Sequence, residues 1–573
     1  MPPLKTTQLW ATHRVGAKSA VKIIFAIVVI ASVLRFFDLG QLPAGINVDE
    51  ASNGWNAYTL LKTGKDQHGV AWPIFYTRAF GENRSVSYIY ALLPFQAFAG
   101  LSVQATRLPA AFGGVLSILL IYFVGARLFG HPTGLVAAAM LAMNPWHLQI
   151  SRLGVEALLV PLLVLASLTA LLWADFPFGA DDTRGPKPIR AALAGLILGV
   201  SCFGYWAVRI FLPLFFVGAV AVTWQHWWHR LKTRDGAIAI GCLALAITLV
   251  GAPLLWRHLS DPEIAKRGRI QGWVWEESDS FADKATKALA RYPGHFGPDF
   301  LFINGDNDPA YSPLTGAALF HWYDLPLLIL GLIVCLRQAR ASPPARLLLL
   351  WLLLYPLADL FARHSSLHAL RSLPGLPALV LLAAIGAVHG TEWLWRRRST
   401  LAPIGYALLG LVAVFNFIFL KQFYLDRKPS AEKFYANQVD HFQACEWLRP
   451  QLGGVDAVFW TGSSAHRYIY TVICLGYEPE QWFRDVREIV PGPLPGGVFA
   501  HEDIYLRVGK FHFMFGDQQS RAALTELLHN DRPDRVMFVV RPGDLGLHKT
   551  ARPIHEVLGP DGKPTLWIFD TKL

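Results

Sequence analysis

The chain has 573 residues, 53% of them hydrophobic and 16% charged, with a formal net charge of +11, and its mean hydropathy is +0.34. A soluble domain carries roughly 25% charge, so a wholly soluble fold is excluded; the apolar excess is gathered into continuous runs such as Val21 to Phe37, Ala237 to Trp256 and Leu347 to Phe361. Such runs can cross about 30 Å of hydrocarbon as helices at about 1.5 Å per residue, and because they do not alternate they are not barrel strands. The positive balance fits basic cytoplasmic loops, and no basic, aromatic-interleaved stripe marks a nucleic-acid surface.

In chain order, the first apolar segment, 21–37, follows Lys5, Arg14, Lys18 and Lys22 and lacks a small-residue cleavage site, so it reads as a retained anchor. Just beyond it lies Gly45-Ile46-Asn47-Val48-Asp49-Glu50-Ala51. Paired carboxylates at a membrane surface can take a proton from an acceptor or hold a divalent metal. The competing reading of Asp49 is a helix cap. Next, Phe80-Gly81-Glu82-Asn83-Arg84-Ser85 offers Arg84 as a bidentate phosphate ligand and Glu82 as a candidate metal ligand. An interfacial cation near anionic headgroups is the bland reading of Arg84.

The segment 86–100 is short and carries Pro94, Ser87 and Gln96, so it suits a helix lying in the interface. Apolar segments follow at 107–128, 133–148, 155–174, 190–206, 209–226, 236–256, 321–338, 346–362, 374–394 and 401–420. Glu156 opens an otherwise apolar helix, and an ionisable group there is a functional candidate, although a carboxylate also suits a helix N-terminus; Arg152 stands ready to pair with it. Arg209, in the turn after Tyr205-Trp206, and Arg371, after His364 and His368, are cations near the membrane, with a snorkelling anchor as the alternative.

Five basic clusters orient the chain: the N-terminal one, Arg184/Lys187/Arg190, Arg230/Lys232/Arg234, Arg337/Arg340/Arg346 and Arg396/Arg397/Arg398. All lie on the cytoplasmic side only if 86–100 does not span. The expectation is therefore an all-α polytopic membrane protein of about eleven transmembrane helices, N-terminus cytoplasmic, C-terminus outside. On that parity Asp49, Glu50, Arg84, Glu156, Arg209 and Arg371 share one side of the membrane. The rest, 421–573, reads as a small extracytoplasmic α/β soluble domain. Its expected strands are Val455 to Trp460, Lys510 to Phe515, Arg535 to Val540 and Thr565 to Phe569, and its expected helices Ser464 to Leu475 and Ser520 to Leu528. Cys445 and Cys474 could pair there, which spacing alone cannot prove, whereas Cys202, Cys242 and Cys335 lie in apolar runs as packing residues.

The carboxylate pair at 49–50, the Gly81-Glu82-Asn83-Arg84-Ser85-Val86-Ser87-Tyr88-Ile89-Tyr90 stretch, the helix start Thr106-Arg107-Leu108-Pro109 and Ser151-Arg152-Leu153-Gly154-Val155-Glu156 together resemble the GT-C glycosyltransferases. They resemble specifically the protein mannosyltransferase and aminoarabinose transferase group, which uses phospholipid-linked sugar donors. The resemblance covers about residues 21–420, a GT-C-like catalytic domain over 1–420 with 421–573 as its extension. It implies a multi-span helical fold with an outward active site in the cell (inner) membrane. It implies Asp49 as general base with Glu50 beside it, Glu156 completing the site, and position 84 on the donor phosphate. The sequence departs from the pattern with Arg84 where lysine is frequent and Val86 where proline is frequent.

Such an enzyme would take a polyprenyl-phosphate-linked sugar to a lipid, glycan or protein acceptor, amid membrane lipids. The departing phosphate, already a good anion, would be steadied by Arg84, Arg209 or Arg371, and one direct displacement would invert the anomeric centre. Nothing in the sequence fixes a cofactor, and a divalent metal through Glu50, Glu82 or Glu156 stays open. A transporter or flippase of lipid-linked sugars would instead show inverted repeats and broken helices near the midplane. A structural subunit would tolerate loss of Asp49 and Glu156.

Overall fold

The computed structural model describes residues 15–80, 82–176, 187–261, 274, 276, 278–306, 318–361, 367–396, 402–425, 431–462, 466–485, 507–514, 533–544 and 551–571. In chain order its helices run α1 (Ala17–Phe36), α2 (Val48–Thr63), α3 (Ser87–Ala99), α4 (Val103–Phe129), α5 (His131–Met143), α6 (Pro145–Ile150), α7 (Leu159–Trp173), α8 (Pro188–Ser201) and α9 (Trp206–Val222). There follow α10 (Trp224–Leu231), α11 (Arg234–Ser260), α12 (Phe281–Arg291), α13 (Asp324–Gln338), α14 (Pro343–Leu354), α15 (Ala369–Ser372), α16 (Leu376–Arg396) and α17 (Ala402–Tyr424). The chain divides into two compact units, Met1–Phe37 with Pro109–Arg427, and Asp38–Leu108 with Lys428–Leu573.

The first unit is helical. Each of the eleven segments expected to span is a helix, but only five helices among the described residues are long and apolar enough by themselves, or six if α9 and α10, bent by 79°, form one span. Several of the others, such as the 13-residue α5 and the 14-residue α8, are shorter. Helix starts follow local chemistry: proline occupies the first turn of α5, α6, α8 and α14, where its missing N–H costs nothing, and the Thr233 hydroxyl caps α11 at the Gly236 N–H, 3.2 Å away. Packing is close where small residues meet. A Cβ added to Gly331 on α13 or Gly386 on α16 would strike the other helix's backbone.

The second unit joins α2, a hairpin of β1 (Thr77–Ala79) and β2 (Glu82–Arg84), and α3 to a C-terminal α/β layer. That layer holds α18 (Ala431–Ala436), α19 (Val439–Leu448), β3 (Ala457–Thr461), α20 (Arg467–Leu475), α21 (Pro479–Asp485), β4 (Arg507–Val508), β5 (Phe511–Met514), β6 (Val536–Val540), β7 (His555–Leu558) and β8 (Pro564–Asp570). The sheet order is β4-β5-β3-β6-β8-β7, with β3 parallel to both β5 and β6 and the other pairs antiparallel. Unbroken burial along β3 and β6 suits central parallel strands covered on both faces.

All four expected strands form. β4 and β7 are additional: the first is only two residues long and the second has a single buried position, so neither gives an alternation to read. The expected helix Ser520 to Leu528 lies outside the described residues. Cys445 and Cys474 form a disulfide across 29 residues, while Cys202, Cys242 and Cys335 are free. The first expected outer loop shares a hydrophobic core with the sheet layer: Ile46, Ala51, Trp55 and Phe80 pack in one cluster with Cys445, Trp460, Tyr468 and Trp482.

Candidate active site

The loop ahead of α2 is folded by glycine and by a buried arginine. Gly45 has φ 73°, and a Cβ there would meet the Asn437 carbonyl and Val439 Cγ2, so the position requires glycine on both counts. The Ile46 N–H donates to the Asn437 carbonyl at 2.9 Å, and Asn437 Nδ2 donates to the Ala44 carbonyl at 2.9 Å. Helix α2 then starts with a capping box: Asn47 Oδ1 accepts from the Glu50 N–H at 2.9 Å, and Glu50 Oε2 accepts from the Asn47 N–H at 3.2 Å. The helix cap is therefore Asn47, and Asp49 lies inside the first turn.

Glu50 is wholly buried, and so is Arg107 near the start of α4. The guanidinium donates to both Glu50 oxygens, Nε to Oε1 at 2.8 Å and Nη2 to Oε2 at 3.1 Å. It also donates to the carbonyls of Leu39 at 3.2 Å, Pro43 at 2.8 Å and Gly45 at 2.7 Å. One side chain thus ties the descending chain, the glycine turn and α2 together. A buried pair persists only when its remaining polar atoms are also satisfied, and here they are.

Asp49, beside this hub, is oriented differently. Its Oδ1 accepts from Arg84 Nη1 on β2, with side-chain exposures of 15% and 12%, so the pair is reachable where Glu50 is not. Arg84 also lies over the Phe80 ring at 5.4 Å. Tyr470 on α20 completes the surroundings. Burial, and then the charges of Asp49 and Glu50, push its phenol well above its ordinary value, which keeps it protonated beside the carboxylates. Helix α3, 13 residues long, is held to this unit by Gln96 Nε2 donating to the Gly54 carbonyl at 2.9 Å and by the Tyr88 hydroxyl donating to the Thr106 carbonyl at 2.8 Å. Gln96, polar in the sequence, is buried rather than wet.

Glu82 is on β2, but its side chain lies outside the described residues. Among the described residues no group of three or more His, Cys, Asp or Glu side chains is placed to hold a metal ion.

Glu156, in the first unit, is buried and opens a short 3-10 turn ahead of α7. Arg152 is wholly buried and closes the end of α1, donating to the carbonyls of Leu34 and Arg35 at 2.9 Å each and Phe37 at 2.7 Å. Arg209 donates to the Gly204 carbonyl at 3.0 Å and meets His258 Nε2 at 3.2 Å. Arg371, 9% exposed, has its Nη1 3.8 Å from Asp359 Oδ1.

Sequence reasoning had passed over Asp359, a fully buried carboxylate that also meets His295 Nε2 at 3.2 Å, Arg291 Nη2 at 3.6 Å and the His368 N–H at 3.2 Å. Also passed over were Arg35 on α1, hydrogen-bonded to His147 Nδ1 at 2.8 Å, and the hub role of Arg107. Ionisable residues at the ends of apolar runs were the available signal.

The model of the dolichyl-phosphate-mannose-protein mannosyltransferase family matches residues 85–179. The undecaprenyl phosphate-alpha-4-amino-4-deoxy-L-arabinose arabinosyl transferase of Pseudomonas paraeruginosa is 27% identical over 326 residues, 56% of this chain and 53% of that protein. The match thus spans about half the length of that curated relative. Structures of ArnT from Cupriavidus metallidurans, one bound to undecaprenyl phosphate and one in the apo state, align with a TM-score of 0.51 at 14% identity, over 97% of this chain and 98% of that one. At that identity the likeness speaks for the fold alone, and over the matched residues the chain is similar to the mannosyltransferase family and to the arabinosyl transferase.

Proposed function

We propose that this protein transfers a sugar from a polyprenyl-phosphate carrier to a lipid, glycan or protein acceptor at the outer face of the cell membrane, with Asp49 as general base. The observation that carries the reading is the accessible Asp49–Arg84 pair on a loop held rigid by the buried Glu50–Arg107 pair. Arg84 occupies Asp49 Oδ1, so the pair describes a resting base. Donor phosphate, a better bidentate partner, draws Arg84 away and frees Asp49. The acceptor oxygen then attacks the anomeric carbon and the carbon–oxygen bond to phosphate breaks. Its electron pair leaves with the polyprenyl phosphate, the hydroxyl proton passes to Asp49, and the anomeric centre inverts.

Glu50 shapes the loop rather than taking the proton, because both its oxygens are engaged. Glu156 completes the acidic set, Arg371 and more weakly Arg209 steady the carrier phosphate, and Glu82 is the candidate ligand should a divalent metal bind. This reading keeps eleven spans, with α3 in the interface, 1–420 as the catalytic part, the N-terminus cytoplasmic and 421–573 outside.

The test is incubation of purified protein with polyprenyl-phosphate sugars and candidate acceptors, followed by mass spectrometry and anomeric assignment of the product. Transfer with inversion is expected. Retention of configuration, or donor binding without transfer to any acceptor, would overturn the proposal.

A further inference from the structure

In the C-terminal sheet the chain leaves β3 for β5 on one side, then returns to β6 on β3's other side. The connections therefore diverge at the carboxyl ends of β3 and β6. Open parallel sheets bind ligands in the crevice at such a switch point. A small pocket lies at these strand ends, lined by Asp440, His441, Thr461, Gly462, Arg467 and Arg541 among others.

Thr461 ends β3, and its Oγ1 accepts from the Arg541 N–H at 3.2 Å and donates to Asp544 Oδ2 at 2.7 Å, which stitches the two strand ends together. Arg467, only 3% exposed, opens α20, and a Cβ at Gly462 would run into its guanidinium, so glycine makes room for the cation. Among the described residues the Arg541 guanidinium makes no ion pair or hydrogen bond; only its backbone N–H does. Burial, and then the Arg541 charge, lower Arg467 to about 9, with Asp544 as the opposing charge. The Asp440 Oδ1 on the rim accepts its neighbour's amide, His441 N, at 2.9 Å.

We infer that this pocket is a binding site for a phosphate-type oxyanion, held between Arg467 and Arg541. Two guanidinium forks line one pocket, and phosphate supplies three or four oxygens for such forks. The pocket is small, so the site takes an anionic group rather than a whole sugar. That group can be a free phosphate or a lipid headgroup.

Hydrogen–deuterium exchange on the full-length protein in neutral-lipid nanodiscs separates the two sources, read on peptides covering 457–462, 466–475 and 536–544. Millimolar inorganic phosphate is expected to slow exchange there at least threefold, saturably, and Arg541→Gln to abolish the effect while keeping the wild-type exchange pattern elsewhere. Protection seen only in nanodiscs containing phosphatidic acid, and lost in Arg541→Gln, assigns the site to a headgroup. Should Arg541→Gln disturb the fold, Arg541→Lys serves instead, retaining the charge but weakening apparent phosphate affinity at least fivefold. No protection by either probe, or equal protection in the Arg541 variants, would overturn the inference.

Discussion

Replacing Asp49 with asparagine separates catalysis from architecture. Asn47, not Asp49, caps α2, and the reciprocal Glu50 bond closes the capping box, so the helix start survives. Two stabilising terms are lost. The Arg84 pair has side chains only 12–15% exposed and is worth about 1 kcal/mol; a carboxylate in the first helical turn contributes about 0.3–1 kcal/mol. Together they remove about 1–2 kcal/mol, which a fold of about 5–15 kcal/mol tolerates. Loss of a general base costs roughly 10²–10⁴ in rate, or about 2.7–5.5 kcal/mol at about 1.36 kcal/mol per decade. Single-turnover transfer at saturating donor and acceptor should therefore fall at least a hundredfold, while the melting temperature moves by a few degrees. Donor KM should stay level or fall, because Arg84 is released to the phosphate. Transfer within threefold of wild type by an intact variant would refute the assignment of the base.

Arg107→Met should be far more damaging to the fold than Asp49→Asn: it strands the buried Glu50 carboxylate at about 3–5 kcal/mol. Adding Glu50→Gln should recover part of that loss in a double-mutant cycle read by thermal unfolding. Cys445→Ser should lower stability by about 3–4 kcal/mol, the loop-entropy value for 29 residues, and maleimide should label Cys474 in this variant without reductant. Asp359→Asn should lower the melting temperature, because it leaves Arg291, His295 and Arg371 without their shared carboxylate; an unchanged melting temperature would count against the network around Asp359.

Much of this molecule is legible from local pattern. Continuous apolar runs dictate helices because lipid leaves the backbone no partner but itself, and each expected span is helical. The strands at 457–461, 511–514, 536–540 and 564–570 were readable for a similar reason, since buried sheet positions select β-branched and aromatic residues. Asp49, Glu50 and Arg84 stood out by residue type at a membrane edge, and the structure brings the three into one unit.

Partner choice was not legible. Asp49 and Glu50 are adjacent and chemically alike, yet one pairs with Arg84 at an accessible position and the other with Arg107 in the interior. Consecutive helical residues point about 100° apart, so only the surroundings of α2 decide which stays accessible and which is buried. The shared core of the first loop and the sheet layer, and the collection of Arg291, His295, His368 and Arg371 around Asp359, join residues tens to hundreds of positions apart. No periodicity records such pairings, because they are set by which surfaces exclude water together once the chain has folded.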